Sequence, residues 1–193
     1  MSLPELIVIR HGETEWNRSR RLQGGQDSPL TAKGREQANY LAQQLVTHGV
    51  GPKTHRLFSS PQGRALATAA PISSQTGLPV EPDDRLREIH MGQWAGLTRD
   101  EVDARWPASD PHEHFIDWYA RAPDGEPFES LWDRVGAFLD DLRGPTVIVT
   151  HGFTSRFLRT RALGLTLADL AEVRGGQGVA FVIRDGRHEI LGS

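Results

Sequence analysis

Short, uninterrupted apolar runs are the first pattern along the chain. LIVI at residues 6–9 is one such run, and TVIVT at 146–150 is another near the opposite end. Runs of four or five apolar, mostly branched residues are typical of strands buried on both faces of a sheet. HRLFSS at residues 55–60 predicts a further short strand. The last run, VAFVI-RDGR-HEIL, predicts an antiparallel hairpin that turns at Asp185-Gly186.

Between these runs the apolar residues return at helical spacing. In TAKGREQANYLAQQLVT, residues 31–47, Thr31 is the expected N-cap. The predicted inner stripe of that helix consists of Ala38, Leu41, Ala42 and Leu45. Further helices are predicted over 62–76 (with Pro71 kinking it or lying near its first turns), 98–106, 129–143 and TSRFLRTRALGL.

Strands that alternate with helices predict an α/β fold with a mostly parallel sheet. We expect a three-layer sandwich in which helices flank the sheet. Residues 99–128 contain four prolines and several acids, and they predict an insertion over the C-terminal ends of the strands. The economical interpretation is a single domain over residues 1–193.

Composition narrows the possible classes of function. Hydrophobic residues make up 37% and charged residues 24% of the chain, which is typical of a globular protein. The net charge of −3 argues against a nucleic-acid platform. The absence of cysteine excludes disulfides, thiolate catalysis and Cys-ligated zinc. No secretory signal or membrane-spanning run is evident, so a soluble cytoplasmic protein is expected, without a membrane partner.

Polar side chains gather where the predicted parallel strands end. Arg10 and His11 follow the first strand, and residues 59–61 follow the second, with Arg64 one helical turn beyond; His151 follows the third. Ligands bind beyond the carboxyl ends of strands in open parallel sheets. Two histidines and two arginines are therefore expected to converge on one small volume.

This set of residues suits a phosphate group. Guanidinium groups bind tetrahedral oxyanions, and a helix start near Gly12 would add backbone N–H donors, with close approach allowed because Gly12 has no Cβ. A neutral histidine can attack phosphorus as a nucleophile. We expect surrounding positive charge to lower the pKa of His11, so that the free base is available near neutral pH.

A general acid is supplied by LREIHMGQWAGLT, residues 86–98. Glu88 lies there in a loop that contains Gly92 and Gly96. A carboxyl group beside a bound phosphate dianion is expected to keep its proton, because like charges disfavour ionisation. It could protonate the leaving alkoxide and then activate water.

Five blocks of sequence, in order, are RHGETEWN, LTAKG, SSPQGRALATA, LREIHMGQWAGLT and VTHG. In order and rough spacing they resemble the histidine phosphatase superfamily, in its phosphoglycerate-mutase-like group. The resemblance extends from residue 7 to about residue 152, and the terminal hairpin also fits. It implies that His11 is the phosphorylated nucleophile and Glu88 the proton donor. It implies Arg10, Arg64 and His151 as the remainder of the phosphate pocket.

Four further residues are implied by the same resemblance. Asn17 would contact phosphate or orient the nucleophile, Gln23 and Gly24 would lie in a substrate-contacting loop, and Gly152 would contact the phosphorylated ligand. The family implies no metal and no diffusible cofactor for simple hydrolysis. The expected partner is a small-molecule phosphomonoester.

The scaffold hosts phosphatases and mutases, so the fold does not decide the function. Mutases that resemble this chain carry Glu-Arg-His-Tyr at the acid, whereas this chain reads Glu88-Ile89-His90-Met91. They also carry a double arginine in the insertion, which has only isolated arginines here. These differences favour a metal-independent phosphomonoesterase of the phosphatase branch. The alternatives are a cofactor-dependent phosphoglycerate mutase and a non-catalytic module that binds a phosphorylated ligand.

The rest of the pocket is less sharply predicted. Its wall is expected to include Met91, Trp94, Phe115 and Trp118. Glu126 either faces the site or stabilises a helix start, and His90 lines the pocket or fills space. The segment His112-Glu113-His114 is interpreted as a solvated loop, because metal-binding pairs on a helix are four residues apart. Arg156, Arg159 and Arg161 are expected on an exposed helix, while substrate identity and oligomeric state stay open.

Overall fold

One six-stranded sheet forms the centre of the protein in our computed structural model, which describes residues 3–108, 110 and 112–191. Its strands are β1 (Leu6–Arg10), β2 (Arg56–Ser59), β3 (Val80–Pro82), β4 (Thr146–Thr150), β5 (Ala180–Arg184) and β6 (Arg187–Ile190). Their spatial order is β3-β2-β4-β1-β5-β6. The first four strands are parallel, and the β5–β6 hairpin joins them antiparallel to β1. The predicted α/β fold with a mostly parallel sheet is confirmed.

Helices cover both faces of this sheet. They are α1 (Glu15–Arg18), α2 (Ala32–Thr47), α3 (Gly63–Thr76), α4 (Arg99–Arg105), α5 (Phe115–Ala120), α6 (Phe128–Asp140) and α7 (Gly152–Ala162). The alternation of side chains along β1 explains the two cores. Ile7 and Ile9 pack with α2 and α3, whereas Leu6 and Val8 pack on the opposite face with α6 and α7. The result is the predicted three-layer sandwich.

The helix α2 begins and packs as its sequence predicts. The Thr31 side chain accepts a hydrogen bond from the Gly34 amide, 3.0 Å away, as an N-cap does. Its predicted inner stripe is buried against the sheet. In α3, Pro71 lies within the helix, which continues to Thr76.

The insertion supplies α4 and α5 between β3 and α6. Trp94, which precedes the insertion, and Trp118 on α5 are both buried in the core, with ring centroids 4.6 Å apart. Tyr119, the neighbour of Trp118, reaches the cavity at the carboxyl ends of the strands. The insertion therefore covers that end of the sheet. No helix in the described part of the chain combines the length and apolar character of a membrane span.

Candidate active site

Two histidines lie side by side at the carboxyl ends of neighbouring strands. Arg10 at the end of β1 is in register with Thr150 at the end of β4, and the His11 amide donates to the Thr150 carbonyl at 2.9 Å. His11 and His151 therefore follow directly after paired residues. Their rings are 5.2 Å apart between centroids, and both are almost completely buried. The predicted convergence of the strand ends is present.

The hydrogen bonds of His11 identify which ring nitrogen can act as a base. Nδ1 lies 2.8 Å from the Gly12 carbonyl oxygen, which only accepts, so Nδ1 must carry the proton. Nε2 therefore has the lone pair, and it accepts from Arg64 Nε at 3.3 Å. Burial lowers the pKa of His11 well below its ordinary value, and the charges of Arg10 and Arg64 lower it further. The expected direction is present, with burial as the larger cause.

Arg64 connects His11 to the loop that follows α1. Its Nη2 donates to the Gly24 carbonyl at 3.0 Å and its Nη1 pairs with Asp27 at 3.0 Å. Gly24 has a φ of +50°, and a Cβ there would lie 2.9 Å from the Met91 side chain. Glycine is therefore required at position 24 both by the backbone and by the packing. The loop and the guanidinium group hold each other in place.

Glu88 lies at the N-terminus of α7. Its carboxylate accepts from the amides of Phe153 and Thr154 at 3.2 and 3.1 Å. The Gln62 side chain accepts from the Glu88 amide at 2.8 Å. Carboxylates are favoured at helix N-termini because unpaired N–H groups point toward them. These contacts fix the carboxylate of Glu88 at the edge of the cavity that contains His11.

His151 has different hydrogen-bond partners from His11. Its Nε2 lies 2.8 Å from the Ser60 hydroxyl, just beyond β2. Its Nδ1 and Arg10 Nε are buried, and within the described residues neither has a hydrogen-bond partner. Burial lowers the pKa of His151 well below its ordinary value, and neighbouring His11 and Arg64 add to that effect. Both groups could bind an oxyanion.

A polar network orients the backbone around His11. Asn17 forms a capping box with Thr14, whose hydroxyl also accepts from Gln23 Nε2 at 2.9 Å. Gln177 Nε2 donates to the His11 carbonyl at 3.1 Å and to Asn17 Oδ1 at 3.0 Å. Gln177 thus joins the last loop to His11 and Asn17.

A cavity of about 80 Å³ lies above His11. The predicted site residues that line it are Arg10, His11, Asn17, Gln23, Gly24, Arg64 and Glu88. Gly152 lines an adjoining cavity, and His151 lies beside His11. A small, mostly polar cavity with two guanidinium groups can hold a phosphate group against the Nε2 lone pair of His11.

Two of the four residues predicted for the pocket wall were wrong. Met91 and Phe115 line cavities, but Trp94 and Trp118 pack in the core beneath them. Tyr119 takes their place, and burial raises its pKa to about 12, so its phenol stays protonated. Its sequence signal was its position next to Trp118 on a short helix, which turns the two side chains in different directions.

The open alternatives for Glu126 and His90 are also resolved by contacts. Glu126 forms a bidentate ion pair with Arg134, whose Nη1 donates to the carbonyls of Arg85 and Arg87. Glu126 therefore stabilises the backbone before Glu88 and does not line either cavity that contains Glu88. His90 is exposed and does not line the wall.

The structure agrees with the prediction for the histidines of the insertion but not with the prediction for all arginines of α7. His112 and His114 are exposed, and no cluster of three or more potential metal ligands occurs in the described part of the chain. The prediction of an exposed helix for the arginines of α7 was wrong for Arg159, which is 1% exposed, and Arg156 is half-buried. Both line the adjoining cavity, because α7 turns that face toward Glu88.

Comparisons with known proteins identify the family of this chain. The model of the family described as the histidine phosphatase superfamily (branch 1) matches residues 6–188. A relative from Serratia proteamaculans, named "Probable phosphoglycerate mutase GpmB", is 37% identical over 169 residues, covering 83% of this chain and 75% of the relative. An Escherichia coli protein of the same name is 37% identical over 171 residues, with the same coverage.

Solved structures of phosphatases share the fold. A mycobacterial glucosyl-3-phosphoglycerate phosphatase has a TM-score of 0.81 and 29% identity, covering 97% of this chain and 96% of its own. The alpha-ribazole phosphatase from Shigella flexneri has a TM-score of 0.79 and 28% identity, covering 98% and 96%. Relatives by sequence thus carry a mutase name, whereas these structural neighbours carry phosphatase names.

Proposed function

The chain belongs to the histidine phosphatase superfamily, branch 1, and from this membership we propose that it is a metal-independent phosphomonoesterase. The observation that carries the proposal is the state of His11. Its Nδ1 proton is held by the Gly12 carbonyl, so its Nε2 lone pair is available beside two guanidinium groups. A buried neutral imidazole next to an anion pocket is suited to nucleophilic attack on phosphorus.

In the proposed first step, His11 Nε2 forms a bond to phosphorus while the bond to the ester oxygen breaks. Arg10, Arg64 and His151 bind the phosphoryl oxygens and stabilise the charge that develops on them. The protonated Glu88 gives its proton to the leaving alkoxide, which departs as an alcohol. The products of this step are phosphohistidine and the Glu88 carboxylate.

In the second step, the Glu88 carboxylate takes a proton from water. The resulting hydroxide attacks phosphorus, and the bond to His11 Nε2 breaks, which releases inorganic phosphate and restores both groups. The amides of Phe153 and Thr154 support this double role, because they hold the carboxylate in one place through both steps. Neither step requires a metal ion, since guanidinium groups supply the positive charge.

The mutase is the second candidate, and the names of the sequence relatives favour it. The insertion argues for hydrolysis. Its Arg99 and Arg121 pair with Asp103 and Glu113, at 3.2 and 2.6 Å, so these charges are already compensated. The non-catalytic binding module is the third candidate. The complete set of nucleophile, acid and arginines argues against it, because binding alone does not need His11 or Glu88.

A phosphate-release assay in EDTA distinguishes these candidates. The substrates are a panel of small phosphomonoesters that includes 3-phosphoglycerate, and 2-phosphoglycerate is measured in parallel. We expect inorganic phosphate from several substrates with little 2-phosphoglycerate. Rapid isomerisation with negligible phosphate release would instead identify a mutase, and binding without either product would identify the binding module.

A Glu88→Gln variant tests the acid. Because general acid catalysis is worth on the order of 10²–10⁴-fold, we expect a loss of that size for alkyl phosphates. The loss should be much smaller for 4-nitrophenyl phosphate, whose leaving group needs no proton. Equal losses for both substrates would contradict the assignment of Glu88 as the proton donor.

A further inference from the structure

A second cavity adjoins the catalytic one on the far side of Glu88. Its volume is about 190 Å³. Arg10, Glu88 and Tyr119 line both cavities, so these three residues form the boundary between them. The second cavity is several times larger than a water molecule requires, and it therefore has room for part of a substrate.

The proposed reaction indicates which part of the substrate would lie in this cavity. Glu88 must contact the oxygen of the leaving group in order to protonate it. The leaving group of a bound phosphomonoester therefore lies next to Glu88. Gly152 and Phe153, at the start of α7, line the space beyond that carboxylate. One end of the second cavity is thus where the leaving alcohol would be.

Two arginines of α7 give this cavity its chemistry. Arg159 is 1% exposed, and its Nη1 donates to the Arg174 carbonyl at 2.8 Å and contacts His188 Nε2 at 3.1 Å. Arg156 is half-buried, and its Nη1 donates to the Leu170 carbonyl at 2.8 Å. Within the described part of the chain, neither guanidinium forms an ion pair with a carboxylate.

The lack of a carboxylate partner is costly for a buried charge. Carbonyl and imidazole groups satisfy the N–H donors in part but do not neutralise a guanidinium group. Burial lowers the pKa of both Arg156 and Arg159, and the charge of Arg156 lowers that of Arg159 further. In contrast, Arg21, which lines the first cavity, pairs with Glu101 at 3.1 Å. The second cavity therefore has unneutralised positive charge that a bound anion would compensate.

The remaining lining fits a short carbon skeleton. The Arg156 guanidinium lies over the ring of Phe115, with Cζ 4.9 Å from the ring centroid. A Cβ on Gly175 would be 3.4 Å from Arg156 Nη2, so glycine keeps the space beside this nitrogen open. Phe153 and Tyr119 form the apolar side, with ring centroids 4.1 Å apart.

We propose that the second cavity binds a further anionic group, a carboxylate or a second phosphate, on the leaving-group side of the substrate through Arg156 and Arg159. The preferred substrates are then short phosphomonoesters whose alcohol part carries a negative charge. This inference rests on the phosphomonoesterase function proposed above. A second anion subsite is compatible with both a phosphatase and a mutase. The parallel measurement of 2-phosphoglycerate distinguishes these two activities.

Three substrates on one carbon skeleton test the proposal. Glycerol 3-phosphate has a neutral end, 3-phosphoglycerate has a carboxylate there, and glycerol 1,3-bisphosphate has a second phosphate. We expect kcat/KM to be at least about 10-fold higher for one or both charged substrates, because charge-assisted hydrogen bonds are worth that much. The charged substrate with the greater preference identifies the anion.

The preference is the ratio of kcat/KM for a charged substrate to kcat/KM for glycerol 3-phosphate. The variant Arg156→Gln should lower this ratio by about 10-fold or more, mainly through KM. Arg156→Lys keeps the positive charge, so it should retain part of the preference that Arg156→Gln loses. Arg161→Gln is the matched control, because Arg161 lies on the same helix but stacks on Trp132 and lines neither cavity. A ratio compares substrates within one protein, so a general loss of folded enzyme does not change it.

A ratio near one in the wild type, or one that Arg156→Gln leaves unchanged, would overturn the subsite while phosphate release itself still supports the phosphatase. If no substrate releases phosphate, the same three compounds are titrated into the His11→Ala protein by calorimetry. Tighter binding of a charged compound that depends on Arg156 but not on Arg161 then supports the subsite, even though the proposed reaction has failed. Equal binding of all three compounds overturns it.

Discussion

The two strand ends that carry His11-Gly12 and His151-Gly152 have the same sequence pattern but different surroundings. At the end of β1, a backbone carbonyl fixes the proton on His11 Nδ1 and leaves Nε2 as a base. At the end of β4, the Ser60 hydroxyl contacts His151 Nε2. A hydroxyl can donate or accept a hydrogen bond. His151 can therefore carry its proton on Nδ1, which has no partner among the described residues, and donate a hydrogen bond from Nδ1 to an oxyanion. In the proposed reaction, the neighbours of each histidine, and not its motif, would therefore decide which one attacks phosphorus and which one donates a hydrogen bond.

The largest expected difference between the two ends is in turnover. We expect His11→Ala to lower kcat by at least about 10⁴-fold, because positioning cannot replace a covalent nucleophile. His151→Ala removes a donor to the phosphoryl group and should cost on the order of 10²–10³-fold. Steady-state kinetics on one phosphomonoester would measure both values, with circular dichroism as the control for folding.

Labelling with a radioactive phosphoryl donor sharpens this test. Acid-labile label should be trapped on the wild type and on His151→Ala but not on His11→Ala. Label retained by His11→Ala, or similar losses of kcat in the two variants, would contradict the separate roles.

The glycines that follow the histidines should differ in stability. A Cβ on Gly12 would lie 2.4 Å from the Gly34 carbonyl oxygen, which belongs to the backbone of α2 and cannot move away. A Cβ on Gly152 would be 3.5 Å from Arg10 Cζ, which is an ordinary contact. We expect Gly12→Ala to lower the free energy of unfolding by about 2–3 kcal/mol, and Gly152→Ala to change it by less than about 1 kcal/mol. Urea unfolding measures both, and equal effects would contradict the packing argument.

Much of this architecture could be predicted from local patterns. The structure confirms the strands predicted from the apolar runs, the N-cap at Thr31 and the turn at Asp185. Each of these predictions depends only on residues that are neighbours in sequence. Gly12 was expected to admit an anion, whereas the structure shows it packed against Gly34 of the LTAKG block. That contact joins residues 22 positions apart, and no local pattern contains it.

The contacts of the site that were missed are also distant in sequence. Ser60 reaches His151, and Gln177 reaches His11, only because β2, β4 and the last loop meet at one edge of the sheet. Arg159 was expected on an exposed helix, yet the first turn of that helix donates to the Glu88 carboxylate and Arg159 is 1% exposed. The sequence predicted which residue types gather at this edge of the sheet, and the three-dimensional neighbours determine the hydrogen bonds that each of them forms.

The two histidines should resemble each other in their effect on the pH dependence of stability. Both have a folded pKa below the unfolded value of about 6.5. The unfolded state therefore binds protons first as pH falls, so this stability is present above about pH 6.5 and is lost below it. Each histidine can contribute up to about 1.4 kcal/mol per pH unit.

Replacing either one with glutamine should make the dependence shallower. Urea unfolding of the wild type, His11→Gln and His151→Gln at pH 7.5 and 5.5 measures the slopes. A variant that keeps the full loss of stability between these pH values would show that its histidine does not titrate in this way.

The smallest expected effect concerns the hydroxyl that distinguishes the second histidine. Ser60→Ala removes the partner of His151 Nε2, and we expect kcat/KM to fall by about 10-fold, which corresponds to one hydrogen bond of about 1.4 kcal/mol. Ser59→Ala is the matched control, since Ser59 is equally buried and its hydroxyl donates to the Ser60 carbonyl at 2.9 Å. Because Ser60 is inferred to act through His151, its substitution should have almost no effect in the His151→Ala background. A loss that persists in the double variant would mean that Ser60 contributes by another route, and the comparison of the two strand ends would then rest on the histidines alone.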